Sequence, residues 1–460
     1  MYELLNKVNS AVWGLPLMLL IIGVGTYISI RTGFAQLRLF PKAFRSFLSA
    51  FKRKGNTDGT SAYRALCTAL AATVGTGNLA GVAGAIALGG PGAVFWMWIC
   101  AILGMATKFA EATLAVRYRQ KTANGEYIGG PMYMIFNGLH KRWHSMAYVY
   151  CFFGVVASFG VGNATQINTV LGGVEQITNM SGIALTFNGR MLIGCALAVL
   201  LTILLLGGAK RIGTATEIMV PVASVGYILL SVTVLIICRE AIPSAFQSII
   251  VGAFSPQALT GGIVGSAFLT MRIGASRGVF TNEAGMGTAS IAHAASNVSH
   301  PTEQGLMGII EVFLDTIVIC TMTALVILCS GIGIPYGNDT GIALTTQAFS
   351  SVCGDWICIP LTIALLLFAI ATILGWGLYG ARCAQFLFGE NAWKRFVLLQ
   401  GMVAILGACL HTGTVWLMAD IVNGLMAIPN LITLFLLTPE LVRLVKENAR
   451  TKRSGVLAKK

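Results

Sequence analysis

The feature that most constrains this chain is an apolar run, from about residue 61 to residue 89, whose middle is unsuited to a continuous helix. A run of about 20 apolar residues is long enough to span a bilayer. The centre of this run, residues 73–78 (TVGTGN), contains two glycines, two hydroxyls and an amide, all poor helix formers. Because an unpaired backbone group in lipid is costly, a broken helix is tolerated only where it lines a cavity within the protein. The sequence therefore predicts a spanning helix that is broken at a ligand or ion site.

The composition predicts an all-α polytopic membrane protein. Of the 460 residues, 56% are hydrophobic and only 10% are charged, whereas a soluble globular protein carries roughly 25% charged residues. Outer-membrane barrels are excluded because their strands are about ten residues long and alternate in polarity. We predict about eleven transmembrane helices, at residues 8–30, 62–88, 92–118, 145–171, 190–207, 212–238, 258–297 (broken), 304–331, 357–380, 396–411 and 414–437.

The basic residues predict the orientation of the chain. The net charge of +14 is better explained by cytoplasmic loops rich in Lys and Arg than by nucleic-acid binding. One basic cluster lies between the first two spans and another in the C-terminal tail, and both are expected in the cytoplasm. Their members are Arg31, Arg38, Lys42, Arg45, Lys52, Arg53, Lys54 and Arg64, and Arg443, Lys446, Arg450, Lys452, Arg453, Lys459 and Lys460. An odd number of spans then places the N-terminus outside a cell (inner) membrane, with the first apolar stretch retained as a span.

A second Gly-rich polar interruption lies five spans after the first, at residues 277–288 (RGVFTNEAGMGT). Because five is odd, a repeated five-helix unit would enter the membrane upside down relative to the first. Broken helices at matching positions of inverted halves are typical of alternating-access transporters. We therefore divide the chain into an N-terminal helix with a basic segment (1–60), a first repeat (61–240), a second repeat (241–438) and a basic tail (439–460). Hydropathy does not set the depth of the second interruption, because Arg272 and Arg277 interrupt the apolar run.

The chemistry of residues 73–78 suits a small zwitterion and a cation. Unwinding would free backbone N–H groups for a carboxylate and carbonyl oxygens for a hard cation such as Na⁺. Thr73, Thr76 and Asn78 would add neutral oxygens, and the glycines would let a small ligand approach the backbone. The alternative is close helix packing through Gly77 and Gly81, but this explains neither the Asn nor the second glycine.

Other intramembrane polar residues leave two interpretations open. Asn163 and Gln166 could join helices or contact a substrate, and Thr372 and Trp376 could line a cavity or serve packing. Lys108 and Glu111 lie one helical turn apart, which favours a structural ion pair between them. Glu283 could be neutralised by Arg272 or Arg277, or its stretch could lie near the cytoplasmic end as a solvated gate.

Other candidates also keep two interpretations. Asp315 and Asp420 could be proton sites, although helix packing is favoured for Asp420. Cys353–Cys358 is the one plausible bridge, and His293 and His411 are isolated histidines. Residues 34–51 could form an amphipathic interfacial helix or an ordinary basic loop.

Several longer stretches resemble the alanine/glycine:cation symporters, also called the sodium:alanine symporter family, of the amino acid-polyamine-organocation superfamily. The matching stretches are residues 72–78 (ATVGTGN), 86–98 (IALGGPGAVFWMW), 104–111 (GMATKFAE), 129–132 (GGPM), 282–287 (NEAGMG), 291–295 (IAHAA) and 419–430 (ADIVNGLMAIPN). They occur in order over nearly the whole chain. Thr281 stands where Ser is common in the family, which leaves the substrate preference open.

The resemblance implies a leucine-transporter-type 5+5 inverted repeat with one extra N-terminal helix. It also implies import of alanine, glycine or both with co-transported Na⁺, without a cofactor. Coupling to protons in the same fold and, less favoured, an ion channel are the alternatives, and no motif indicates an enzyme. The candidate substrate-binding residues are Thr73, Gly75, Thr76, Gly77, Asn78, Gln166, Phe280, Asn282 and Trp376, and the candidate Na⁺ ligands are Thr73, Val74 and Thr372.

Overall fold

The computed structural model describes residues 2–52, 60–122, 125–180, 182–339, 341–409 and 412–457. Of the residues singled out above, Arg53, Lys54, His411, Lys459 and Lys460 lie outside this part of the chain. The helices are α1 (Tyr2–Val12), α2 (Leu15–Arg31), α3 (Ala35–Arg38), α4 (Phe40–Lys52), α5 (Ala62–Thr73), α6 (Val82–Gly89), α7 (Ala93–Tyr118), α8 (Pro131–Gly138), α9 (Ser145–Phe159), α10 (Thr165–Met180), α11 (Phe187–Leu206), α12 (Gly208–Ile237), α13 (Ile242–Phe254), α14 (Pro256–Thr260), α15 (Ala267–Asn282), α16 (Thr288–Ala294), α17 (Pro301–Val312), α18 (Thr321–Cys329), α19 (Ile342–Cys353), α20 (Cys358–Phe388), α21 (Ala392–Cys409) and α22 (Thr412–Leu457).

Short irregular helices and one small sheet complete the described structure. Three π-helical turns lie at Gly77–Gly81, Gly160–Ala164 and Phe313–Cys320, and 3₁₀ turns lie at Lys141–Trp143, Arg239–Ala241 and Asp355–Ile357. Strands β1 (Gln120–Lys121) and β2 (Tyr127–Ile128) pair antiparallel, with Gln120 opposite Ile128. π-helical turns are rare and are found frequently at functional sites.

The lengths of the helices agree with the predicted transmembrane spans. Nine helices in the described residues are long and apolar enough to cross a membrane, and the bent pair Ala62–Thr73 and Gly77–Gly89, at 51°, makes a tenth. The predicted broken span at residues 258–297 is present as α15 and α16, each too short to cross alone. The prediction of a polytopic helical membrane protein is therefore confirmed.

Each predicted break has a local cause in the sequence. Helix α5 is capped at its start by the Ser61 side chain and ends at Thr73, after which Val74 adopts an extended conformation. Helix α15 ends at Asn282, and the next five residues contain three with positive φ, namely Glu283 (+52°), Gly285 (+94°) and Gly287 (+78°). A run of left-handed residues cannot continue a right-handed helix, and two of the three are glycine, which adopts this conformation without steric cost.

The centre of the molecule is built by α7 and α20. Helix α7 packs against α15, α16 and α17, and α20 packs against α5, α9 and α12. Small residues allow close approach at these crossings, since Gly375 in α20 lies against the backbone of Ala72 in α5. Close packing through glycine is the usual way in which membrane helices associate.

Two local predictions have structural outcomes here. Within residues 34–51, two helices form, α3 and α4, and Phe40 of α4 packs on Phe313 with ring centroids 4.8 Å apart. Cys353 ends α19 and Cys358 begins α20, and both carry free thiols. The bridge between them is not formed, because a 3₁₀ turn at Asp355–Ile357 separates the two helices.

We predict that Gly274→Ala destabilises the protein, because a Cβ at position 274 would overlap the carbonyl oxygen of Ala93 at the α15–α7 crossing. Overpacking of this kind costs about 1–3 kcal/mol, which should lower the thermal unfolding midpoint of the purified protein by several degrees. Gly226→Ala in α12 is the matched control, since a Cβ there meets nothing within 4 Å. Equal midpoints for the two variants would contradict the close crossing.

Candidate functional site

The two helix breaks face each other in the interior. A Cβ at Gly77, in the first break, would lie 3.5 Å from the ring of Phe280 and 3.5 Å from the methyl group of Thr281, at the end of α15. Gly77 is buried, and Phe280 is half-buried. The depth of the second interruption, which hydropathy does not set, therefore matches that of the first.

The side chain of Asn78 closes the first break. Its Oδ1 accepts a hydrogen bond from the Gly75 backbone N–H at 2.7 Å. In a continuous helix this N–H would donate to the carbonyl of Ala71, four residues earlier, so the break releases that carbonyl. The Asn78 Nδ2 donates to Asp315, to Oδ1 at 2.7 Å and to the backbone oxygen at 3.2 Å.

A chain of hydrogen bonds then joins the first break to the second. Asp315 Oδ2 accepts from the Thr316 hydroxyl at 2.7 Å, and the same hydroxyl accepts from Asn282 Nδ2 at 3.1 Å. Asn282 Oδ1 in turn accepts from the backbone N–H of Ala284 at 3.0 Å. Asn78, Asp315 and Asn282 are all fully buried. Polar groups in such an environment must satisfy one another, so the two breaks are held in a fixed relation.

Among the described residues, the hydroxyl of Thr372 has no hydrogen-bond partner, and it lies against the first break. A Cβ at Gly75 would lie only 2.6 Å from Thr372 Oγ1. This oxygen is buried and accepts or donates no hydrogen bond within the described residues. The Thr73 hydroxyl makes only long bonds, of 3.4 and 3.5 Å, to the carbonyls of Ala69 and Leu70. The oxygens at the end of α5 can therefore bind a further partner. Neutral oxygens of this kind are suitable ligands for a hard monovalent cation.

Gln166 contacts the first break, and Trp376 packs on the π-helical turn that precedes Gln166. The Thr76 hydroxyl donates to Gln166 Oε1 at 3.2 Å, and Gln166 Nε2 donates to the Val161 carbonyl at 3.1 Å. Trp376 is fully buried, and its side chain packs directly on Gly162 in the π-helical turn Gly160–Ala164. Nearby Asn163 bonds instead to Gln400, so of the two amides only Gln166 reaches the break.

The indole of Trp376 also reaches the second break. Its Nε1 donates to Glu283 Oε1 at 2.9 Å, while Glu283 Oε2 accepts from the Thr288 hydroxyl at 2.6 Å. The prediction that Arg272 or Arg277 neutralises Glu283 is wrong. Arg277 pairs with Asp339 at 3.0 Å, because it lies before the break, several residues away from the left-handed turn that directs Glu283 into the interior.

The predicted Lys108–Glu111 ion pair is also wrong. Lys108 Nζ instead bonds to Glu311 Oε1 of α17 at 2.8 Å, and both side chains are fully buried. Glu111 Oε1 accepts from the backbone N–H groups of Gly285 and Gly287, each at 3.0 Å. It also accepts from Asn430 Nδ2 at 2.8 Å. The broken helix leaves these N–H groups without intrahelical partners, and the carboxylate supplies one.

His293, predicted to be isolated, belongs to the same buried network. Its Nε2 bonds to Glu311 Oε2 at 2.8 Å, and its Nδ1 lies 2.7 Å from Gln304 Nε2. Glu311 therefore joins Lys108 of α7 to His293 of α16. Sequence reasoning missed this role of Glu311, although a carboxylate inside an apolar span is costly enough to indicate a buried partner.

Most of the predicted site residues thus lie around the two facing breaks and are buried. Thr73, Val74, Thr76, Asn78, Gln166, Asn282, Thr372 and Trp376 are each less than 5% exposed. The arrangement contains a fixed backbone break, unpartnered oxygens and an aromatic wall within a closed interior. Such a site can enclose a small polar molecule together with a cation.

Comparison with known proteins identifies the family. The sequence profile of the sodium:alanine symporter family matches residues 1–460. The chain belongs to this family. A sodium/alanine symporter, AgcS of Methanococcus maripaludis, is 42% identical over 442 residues, which cover 95% of this chain and 94% of that protein. A probable sodium/glutamine symporter, GlnT of Bacillus subtilis, is 38% identical over 453 residues and covers 97% of this chain, with 90% of its own length matched.

A solved structure shows the same fold. The crystal structure of MhsT in complex with L-phenylalanine superposes with a TM-score of 0.59 at 15% sequence identity, over 86% of this chain and 100% of that chain. This similarity concerns the fold alone, and it agrees with the predicted leucine-transporter-type arrangement. Family members are symporters, so the chain is a multi-pass membrane transporter and not an enzyme.

We predict that Lys108→Met strongly destabilises the protein, because it leaves Glu311 buried without its cationic partner. Breaking a buried pair costs about 3–5 kcal/mol, and the double variant Lys108→Met/Glu311→Gln should recover part of this loss. The measurement is the unfolding midpoint of each purified variant. Arg190→Gln, which breaks the partly exposed pair with Glu175, is the control and should cost at most about 1 kcal/mol. Equal losses for Lys108→Met and Arg190→Gln would contradict the role of the buried pair.

Proposed function

We propose that this protein imports a small neutral amino acid, alanine or glycine or both, together with Na⁺ by alternating access. One observation carries the proposal. The Thr372 hydroxyl, which has no partner among the described residues, lies against Gly75 of the first break, and Gly77 of the same break faces Phe280 of the second. A cation-binding set of oxygens is thus adjacent to the space in which an amino acid would be enclosed.

The substrate is assigned to the space bordered by Gly77, Gln166, Phe280 and Trp376. The backbone N–H groups of Thr76 and Gly77 are assigned to its carboxylate, because those of Gly75 and Asn78 already donate within the break. Thr73, Thr76, Asn78 and Asn282 supply polar atoms nearby. Phe280 and Gly77 lie close together, since a Cβ at Gly77 would be 3.5 Å from the Phe280 ring. We assign alanine and glycine as substrates because the family profile that matches the chain is that of the sodium:alanine symporters.

The cation is assigned to the end of α5, where the Thr372 hydroxyl, Thr73 and the backbone of Val74 would bind Na⁺. Asp315 is the second candidate for ion coupling. Its carboxylate is fully buried and bonds to the neutral groups of Asn78 and Thr316. A buried carboxylate without a cationic partner favours a bound cation or a proton, and this observation keeps proton coupling as the alternative.

Alternating access would proceed through ion pairs at opposite ends of the broken helices. At the start of α5, Arg64 pairs with Glu217 of α12 at 2.9 Å. Beside α6, where a Cβ at Gly84 would lie 2.8 Å from Asp339 Oδ2, Arg277 pairs with Asp339 at 3.0 Å. We assign the Arg64 end to the cytoplasmic side and the Arg277 end to the outer side, with the N-terminus outside and the C-terminus in the cytoplasm.

The driving force is adequate for accumulation. A zwitterionic amino acid and one Na⁺ carry one net charge inward, and the membrane potential supplies about 2.3 kcal/mol per 100 mV for each charge. At about 1.4 kcal/mol per tenfold change, this corresponds to roughly fiftyfold accumulation. Transport of this kind needs no nucleotide hydrolysis.

Uptake of labelled alanine by proteoliposomes containing the purified protein tests the proposal. We expect accumulation with an inward Na⁺ gradient, little uptake when choline replaces Na⁺, and competition by unlabelled glycine that exceeds competition by glutamine. Uptake driven by a pH gradient in the absence of Na⁺ tests proton coupling. Counterflow of labelled alanine distinguishes a carrier from a channel. Equal uptake in choline and Na⁺ would contradict Na⁺ coupling, and stronger competition by glutamine would contradict the substrate assignment.

Thr372→Val should weaken Na⁺ binding, because it removes the assigned oxygen while keeping the shape of the side chain. We expect the Na⁺ concentration for half-maximal uptake to rise about tenfold, corresponding to about 1.4 kcal/mol. Thr346→Val is the control, since this buried hydroxyl donates only to the Ile342 carbonyl of its own helix. An unchanged Na⁺ dependence in Thr372→Val would remove Thr372 from the cation site.

A further inference from the structure

A polar cavity of about 440 Å³ lies away from the two breaks, where α7 ends, α17 begins and the last turns of α22 pass. Its basic lining consists of Arg117, Arg119, His300 and Arg443, and its acidic lining of Glu447. Val116, Pro301 and Leu444 form an apolar part of the wall. The cavity therefore combines concentrated positive charge with hydrocarbon surface.

The positive charge in this cavity is only partly neutralised. Arg117 and Arg443 share one carboxylate, Glu440, at 2.9 and 2.6 Å. Glu447 adds a long contact to Arg443, at 3.8 Å. Arg119 forms no ion pair with a carboxylate in the described part of the chain. Its guanidinium donates to the carbonyls of Ser296 and Val298 and stacks on Tyr127. Three guanidinium groups thus exceed the acidic side chains around them, which favours an anionic ligand.

The position of the cavity, at the ends of two transmembrane helices, favours a lipid ligand. Arg117 lies in the last turn of the span Ala93–Tyr118, and Pro301 is the first residue of the span Pro301–Cys329. Both helices therefore end at the level of the cavity, where the phosphate groups of a bilayer lie. Basic pockets between transmembrane helices at this level are typical sites for anionic lipid headgroups.

The cavity is also connected to the inner halves of both broken helices. Arg119 holds the Ser296 carbonyl just after α16, and the neighbouring Asn297 N–H donates to the Thr60 carbonyl at 2.9 Å, just before α5. Any movement of α5 and α16 in a transport cycle would therefore displace this connection. An anion bound beside Arg119 would influence that movement.

We propose that this cavity binds the phosphate of an anionic phospholipid, with the headgroup at Arg117, Arg119 and Arg443 and its apolar portion against Val116 and Leu444. The chemistry recognised is a phosphate ester anion. The lipid, rather than a soluble phosphate, is the assigned source because the cavity lies at the ends of two membrane spans; Val116 and Leu444 contribute little, since they are only 5% and 4% exposed. The bound lipid stabilises the connection between α5 and α16.

Binding of phosphatidylglycerol to the purified full-length protein, followed by native mass spectrometry at increasing lipid concentration, tests this proposal. In Arg117→Gln/Arg443→Gln, we expect the phosphatidylglycerol concentration that gives half-maximal binding to rise at least tenfold. Glu440→Gln should strengthen retention, since it releases both arginines from their shared carboxylate. Arg119 is left unchanged because it also holds the backbone after α16. The matched control is Lys141→Gln/Arg142→Gln, which removes two exposed cations from another loop.

Each outcome bears on the assignment. Weaker retention only in Arg117→Gln/Arg443→Gln, together with stronger retention in Glu440→Gln, supports the site. Equal weakening in the control double variant would overturn it, because attraction would then depend on overall charge alone. Retention of phosphatidylcholine equal to that of phosphatidylglycerol would overturn the anion preference. Displacement of the lipid by millimolar inorganic phosphate or glycerol phosphate would overturn the lipid as the source and identify a site for soluble phosphate.

Discussion

The structure depends on how two broken helices satisfy their backbone polar groups inside a low-dielectric interior. Each break releases N–H and C=O groups that the interior penalises if they stay unpaired. In the first break, Asn78 accepts from Gly75 and donates to Asp315. In the second, the carboxylate of Glu111 accepts from Gly285 and Gly287. These side chains allow the backbone to be irregular in the buried interior, next to the site that we propose for the substrate and the ion.

The same constraint explains the buried charges. Glu111 accepts hydrogen bonds from backbone N–H groups of the second break, so its carboxylate does not pair with Lys108 on the same helix. Lys108 therefore bonds to Glu311, which also accepts from His293. The resulting network joins α7, α16 and α17 next to the second break. Within the described residues, Thr372 Oγ1 at the first break and Glu111 Oε2 at the second are both buried without a hydrogen-bond partner.

Much of the architecture can be predicted from the sequence, and the reasons are local. Apolar runs predict the spans, and the glycine-rich stretches at residues 73–78 and 277–288 predict the breaks, because both signals depend on residues close together in the chain. The partners of polar side chains are less predictable. Lys108 and Glu111 are one turn apart, yet each bonds to a helix distant in sequence, and Glu283 bonds to Trp376 instead of a neighbouring arginine.

The sequence by itself determined that this chain crosses a membrane as a bundle of helices, that two of those helices are broken, and that it belongs with the sodium:alanine symporters. These properties follow from hydropathy, helix propensity and the order of motifs, all of which depend only on the amino-acid sequence. Only the tertiary structure decided that the breaks face each other, that Thr372 lies against Gly75, and that Arg117, Arg119 and Arg443 surround one cavity. The physical reason is that such contacts join residues separated by tens to hundreds of positions, and helix packing, not local sequence, brings them together.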